Sequence, residues 1–280
     1  MTRSDRLARV AAPVVVALLL LGAWELLVAV FDVKPYVLPA PTAIATQVRE
    51  NLSGIFESAR ATGANALVGL VAGAVVAIAA ALLAIRLRLV EELVTPLAAA
   101  AAALPIIALA PVLNNLFSTT STVPRRIVVA LVVFAPVFVN TLRGLGIVDP
   151  VHRELLRSCG AGDGALLRKV RIPGALPFAA VGLKVASSLS VIAAVVSEYF
   201  GGLQDGLGSR ITSAAANTAY GRAWAYVVAS CVLGLAFYVA TTGLERVVSP
   251  ARAGGRRSNQ RNRNQHSRQD RQQDRQGAKA

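Results

Sequence analysis

Long apolar stretches recur along this chain and leave it few ways to fold. The first, 13–31, is continuous. At about 1.5 Å per helical residue it is long enough to cross roughly 30 Å of hydrocarbon. Further stretches lie at about 62–85, 93–113, 126–142, 176–196 and 223–244. Inside a bilayer every backbone N–H and C=O needs a partner within the protein, so segments of this kind read as helices. The expected fold class is therefore all-α, a polytopic membrane protein with about six transmembrane helices. Composition agrees, because 55% apolar and 16% charged residues in a chain of 280 is outside the usual soluble range.

Polar segments divide the chain. Residues 1–12 read as a short cytoplasmic N-terminus, 13–248 as the membrane domain, and 249–280 as a basic tail. Arg3, Arg6 and Arg9 precede the first span as they would a signal peptide. That span is too long for such a peptide's apolar region, however, and no small-x-small cleavage site follows it. The net charge of +14 on its own suggests a nucleic-acid binder, but from Arg252 to Lys279 there are nine Lys/Arg and two Asp, half of the excess. Its stretch RRSNQRNRNQHSRQDRQQDRQ has no apolar residue to bury and no aromatic residue to stack on a base, so the tail reads as disordered, with an inner-leaflet contact or no role at all expected rather than nucleic-acid binding. Cys159 and Cys231 show no disulfide or metal spacing, and His152 and His266 read as solvated. No cofactor or metal is expected.

Within the spans, individual residues carry expectations. Residues 42–55 form a weakly amphipathic stretch, expected as an interfacial helix after an external loop. Gly69 and Gly73 make a G-x-x-x-G pair that allows close helix approach. Pro96, Pro105 and Pro111 break the third span, which should face the protein interior. In the fifth span Ser187, Ser190, Ala194 and Ser197 share one thin, hydroxylic face. That face suits a translocation path or close helix packing equally. Lys184 is expected to snorkel to the cytoplasmic surface, and Glu25 to do so at the outer end beside Trp24, with a substrate contact open to either. Glu198, at the outer end of the fifth span, has a binding-protein contact, a substrate contact and plain solvation all open to it. Trp224 and Tyr226 read as an aromatic anchor at the membrane surface.

The most elaborate polar segment is 149–173, DPVHRELLRSCGAGDGALLRKVRIP. It reads as two short helices. Asp149 can cap the first, with Pro150 at its first position and Gly160 as its left-handed stop. Asp163 can cap the second, whose Leu166, Leu167 and Val170 form a narrow apolar stripe and which Pro173 should end. Glu154-Leu155-Leu156, three residues, Gly160, nine residues, Val170, one residue, Ile172-Pro173 resembles the EAA loop of ABC-importer permeases. Two leucines replace that pattern's alanines. WELL at 24–27, YVLPAP at 36–41, LPIIALAP at 104–111 and SEYFGGLQDGLG at 197–208 resemble the sulfonate, taurine and nitrate branch of the same family.

The resemblance implies a type I importer permease in the cytoplasmic membrane, working as a homodimer. It would have both termini inside, a cytoplasmic ATPase subunit on the 149–173 loop and an external solute-binding protein. Glu154, Leu155, Leu156, Gly160, Ala161, Val170, Ile172 and Pro173 would form the coupling surface. In the membrane, Ser187, Ser190, Ala194, Ser197 and Glu198 are the candidate path residues. The implied cargo is a small anion such as a sulfonate or nitrate, or a heterocyclic vitamin precursor. Glu154 would meet a cation on the ATPase, a role compatible with a first-turn charge worth about 0.3–1 kcal/mol against the helix dipole. The sequence contains no G-x-x-x-x-G-K-[ST] phosphate loop and no convergent catalytic set, so the chain is not expected to be an enzyme. The alternative is a self-contained secondary transporter or channel, which calls for mid-membrane ion sites and inverted repeats. The sequence shows neither. Loop charges favour placing 149–173 in the cytoplasm, although Arg125-Arg126 falls in an external loop and fits that bias least.

Overall fold

The computed structural model describes residues 3–248 apart from Leu104, Thr119 and Asp149. The basic tail with His266, the Asp149 cap and the side chain of His152 lie outside the described residues. All regular structure among those described is helical: α1 Arg3–Val30, α2 Pro41–Glu50, α3 Leu52–Ala84, α4 Arg88–Ala103, α5 Ile106–Leu116, α6 Val123–Gly146, α7 Pro150–Ser158, α8 Asp163–Leu166, α9 Ile172–Glu198, α10 Leu207–Ala216 and α11 Tyr220–Val248. A π-turn, Leu167–Arg171, joins α8 to α9. α3, α6, α11 and the combined Asp163–Glu198 helix are each long and apolar enough to cross a membrane.

Three boundaries differ from expectation. The 42–55 stretch is not one helix. Asn51 ends α2, its side-chain amide donating to the Gln47 carbonyl at 2.9 Å, and α3 starts at Leu52. The third span breaks at only one of its three prolines: α4 and α5 meet at 103°, while Pro96 and Pro111 lie inside those two helices. Pro105 is the break: it has no N–H to continue the ladder and holds φ −71°, ψ 105°. In α1 the helix runs from Arg3 through Pro13, so the N-terminal segment and the stretch expected as the first span share one element, whose apolar part, Val14–Val30, is shorter than the four spans above.

The bundle is built on α3, α6 and α9. Ala66, Leu70, Ala74, Ala77, Ala81 and Ala84 form a buried stripe on α3, facing Val129, Val133 and Val137 of α6. Lipid tails are as apolar as these side chains, so van der Waals fit rather than water exclusion holds the seam. Glycines set the approach distance. A Cβ on Gly73 would stand 2.5 Å from the Ala130 carbonyl oxygen, and Gly69 has no more room against Val129. The G-x-x-x-G expectation is met by a contact between α3 and α6. On the other side of α6, Gly182 admits the Pro136 carbonyl, leaving 2.8 Å for a Cβ, and Gly144 admits Phe178.

Tyr226, expected at the membrane surface, is buried in a smaller core with Ile55, Leu207 and Ala225. Trp24 and Trp224 do meet, edge to face at 5.9 Å. Glu25 has a partner in its own chain. Its carboxylate accepts from the Thr42 N–H at 3.1 Å and the Thr42 hydroxyl at 2.7 Å, capping α2 from a neighbouring helix where Ala40 offers no side-chain cap.

Gly73→Leu and Gly182→Leu should each cost at least about 1–3 kcal/mol through overpacking. Gly22→Leu should be near neutral, since nothing lies within 4 Å of a Cβ there. Thermal unfolding of the purified protein in detergent checks the order.

Candidate functional site

The 149–173 segment folds as half of what its sequence suggests. α7 ends as expected: Gly160 holds φ +70°, and the Ala161 N–H closes back on the Leu156 carbonyl at 3.0 Å. That is a Schellman stop, a geometry glycine takes at little cost. α7 makes no extensive contact with other helices, and Glu154 and Leu155 are exposed, Leu155 by 60%. It presents charge and apolar surface side by side.

The second half is not a separate helix. Gly162, not Asp163, is the N-cap of α8, and Asp163 is its first helical residue. From there α8, the π-turn and α9 run as one helix of 36 residues to Glu198. Pro173 does not stop it. In the π-turn the Ile172 N–H bonds to the Leu167 carbonyl, five residues back, and the proline falls in the first turn of the reset ladder. There its missing N–H is tolerated. Leu166 and Leu167 are buried as the stripe expected, Val170 and Ile172 are half-buried, and Pro173 is exposed.

This helix is a rod of about 54 Å at 1.5 Å per residue. Its far end enters a buried polar clamp. The Thr62 hydroxyl stands 3.0 Å from both Glu198 oxygens and accepts from the Leu207 N–H at 2.8 Å. The Gly208 N–H donates to Glu198 Oε2 at 2.9 Å. Arg125 lies 3.9 Å from Glu198 Oε1, pairs with Asp205 at 2.8 Å, and donates to the Leu203 carbonyl. Arg125 and Glu198 are each 1% exposed. The GGLQDGLG turn makes the enclosure possible. Gly201 and Gly202 hold φ of +107° and +84°, and a Cβ on Gly206 would fall on the Glu198 carboxylate. Plain solvation of Glu198 is therefore excluded. Arg125 was not legible as its partner, although its place in an external loop against the charge bias was a signal.

The thin face of α9 is also enclosed. Ser187, Ser190, Ala194 and Ser197 are all buried. Their hydroxyls bond to their own helix: Ser187 to the Lys184 carbonyl at 2.8 Å, Ser190 to Ser187 at 2.7 Å, Ser197 to Ala194 at 2.8 Å. Of the two roles open to that face, this geometry fits helix packing. Lys184 is partly exposed and held by groups on α11. Its ammonium is 3.3 Å from Glu245 and 5.2 Å from the Tyr238 ring centroid, and with the Ser187–Thr241 contact of 2.9 Å it fastens α9 to α11.

The family described as "Binding-protein-dependent transport system inner membrane component" matches residues 69–252. Similar proteins include the formylaminopyrimidine transport permease protein ThiX of Halalkalibacterium halodurans, 34% identical over 197 residues, 70% of this chain and 78% of that protein. The riboflavin transport system permease protein RibX of Chloroflexus aurantiacus is 29% identical over 202 residues, 71% of this chain and 75% of that one. The putative aliphatic sulfonates transport permease protein SsuC of Bacillus subtilis is 26% identical over 217 residues, 77% and 78% of the two chains.

Arg125→Gln leaves the Glu198 carboxylate without its cation and should destabilise the fold by about 3–5 kcal/mol. Lys34→Gln breaks a surface pair with Asp32 whose side chains are 57% and 88% exposed, and should cost under about 1 kcal/mol. Unfolding midpoints of the two variants, measured side by side, check the difference.

Proposed function

The chain belongs to the family of binding-protein-dependent transport inner membrane components, the ABC transporter permeases, and on that premise we propose that it forms the solute path of an ATP-driven importer. Members of this family are membrane subunits that work with an ATPase and a solute-binding partner. In our reading the ATPase docks on α7 from the cytoplasm, two copies of the chain enclose the path, and both termini are cytoplasmic. The observation that carries the reading is the pairing of an exposed α7 with a rod that begins just after it. Glu154, Leu155, Leu156, Gly160 and Ala161 make the docking surface. Val170, Ile172 and Pro173 belong to the rod that receives the displacement. A stiff element passes on a rigid-body movement that a loose loop would absorb. The ATPase cycle would then bias inward-open against outward-open arrangements through its differing grip on each.

For the path itself we assign Ser187, Ser190, Ala194 and Ser197 to the seam that holds α9 in place, with Glu198 anchoring its outer end. The wall is better placed at the cleft between α4, α6 and α9, a space of 580 Å³ that Thr95, Asn140 and Leu189 help line. Arg125, the one fully buried cation among the described residues, is already paired with carboxylates, and the half-buried Arg126 donates to the Asn65 amide oxygen. That favours a heterocyclic vitamin precursor, the class named for two of the relatives, over a sulfonate- or nitrate-like anion. A cargo held by neutral polar groups also suits a protein whose solute arrives already selected by its binding partner.

Charge reversal at the docking surface tests the reading. Glu154→Arg should weaken co-purification of the ATPase subunit about tenfold or more. Gly160→Pro should do the same, because proline's fixed φ near −65° does not reach the +70° this position holds. Both variants should still insert in the membrane. Full ATPase association by both, or solute uptake that needs no ATP, would contradict the proposal.

A further inference from the structure

Beside the start of the rod lies a cleft of 390 Å³, between the turn that joins α3 to α4 and the first residues of α8 and the π-turn. Arg86 enters it from the turn and Arg171 from the rod, with Asp163 and Gly164 at the rim and Leu166 and Leu167 as an apolar floor. Neither arginine has an ion-pair partner among the described residues, and Asp163 reaches neither of them. Arg171 is only partly exposed, and its Nε is closed off from solvent with no acceptor among the described residues. Buried guanidinium N–H groups are nearly always bonded, so this one points to an acceptor brought from outside. α8 also begins without a side-chain cap, leaving its first backbone N–H groups open beside Gly164. The site therefore offers donors from three chain segments and a single carboxylate.

We propose that this cleft binds a phosphate-class anion. Planar guanidinium forks match the tetrahedral oxygens of a phosphate or phosphodiester, and two of them can share one group. The guanidinium pair suits a free phosphate or a phospholipid headgroup alike, and the exposed Leu83 and Leu87, near Arg86 in the chain, suit the acyl chains of the second. The proposed orientation of the permease enters only in assigning that lipid to the inner leaflet. The cleft's position beside the docking surface would let the bound anion stiffen the joint through which force enters the rod.

The full-length chain in nanodiscs exposes both faces, so a negative result would leave the importer reading untouched. In one arm, discs of phosphatidylcholine are titrated with inorganic phosphate by calorimetry. In the other, discs containing phosphatidylglycerol are analysed by native mass spectrometry for lipid retained per chain. Saturable binding in either arm identifies the source, and the Arg86→Gln/Arg171→Gln variant should weaken it about tenfold or more. Gly164→Glu keeps both arginines and adds a carboxylate at the rim, at a position where a Cβ meets nothing within 4 Å, so it should weaken binding likewise. The basic tail is present in every sample and cancels. The proposal fails if the unaltered chain binds neither anion, or if both variants bind as it does.

Discussion

The carboxylate of Glu198 is enclosed among groups from four separate segments, and the register of the bundle follows from that enclosure. A bare charge away from water is costly, so the site is stable only while Thr62 of α3, Arg125 of α6 and the Gly208 N–H of α10 all point at it. Displacing α9 lengthwise would pull the carboxylate from every one of these donors together. The glycine contacts fix the lateral spacing in the same way. Gly73 and Gly182 let backbone meet backbone on opposite sides of α6, leaving no slack for a sideways shift. Polar bonds thus set the height of the rod, and steric fit sets its distance from its neighbours.

Such an arrangement moves as a body or not at all. At one end the rod emerges beside α7, a helix with little support from its own chain. At the other it ends in the clamp and the GGLQDGLG turn. Lys184 with Glu245, and Ser187 with Thr241, tie its middle to α11. Past Asp163 the chain to the 199–206 turn is one continuous helix, with no break between the two ends. In α1, by contrast, the main ties are the Glu25 cap on α2 and the Trp24–Trp224 contact, so it stands apart from this mechanical unit.

Features governed by local chemistry were legible in the sequence. A G-x-x-x-G pair implies close approach whatever the partner, and Gly160 between a helix and a polar bend implies a left-handed stop. Features that depend on distant partners were not. Arg125 and Glu198 lie on different spans, and only folding shows that an arginine expected in an external loop is the counter-charge of the isolated glutamate. Lys184 and Glu245 are hidden from each other for the same reason. Tyr226 carries the residue type of a surface anchor, yet the space beside Gly54 and Ile55 takes it inward. Pro173 shows a subtler limit: a proline forbids continuation only of a regular α-helix, and the π-turn before it alters the ladder it would break.

The account rests on α7 standing in the cytoplasm, within reach of an ATPase. Cys159, exposed at its end, reports on this directly. In a Cys231→Ser background, a membrane-impermeant maleimide should label Cys159 in inside-out vesicles and not in intact spheroplasts, with labelling suppressed when the ATPase subunit is bound. Labelling of Cys159 from outside intact spheroplasts would put the docking helix on the wrong side of the membrane and contradict the account.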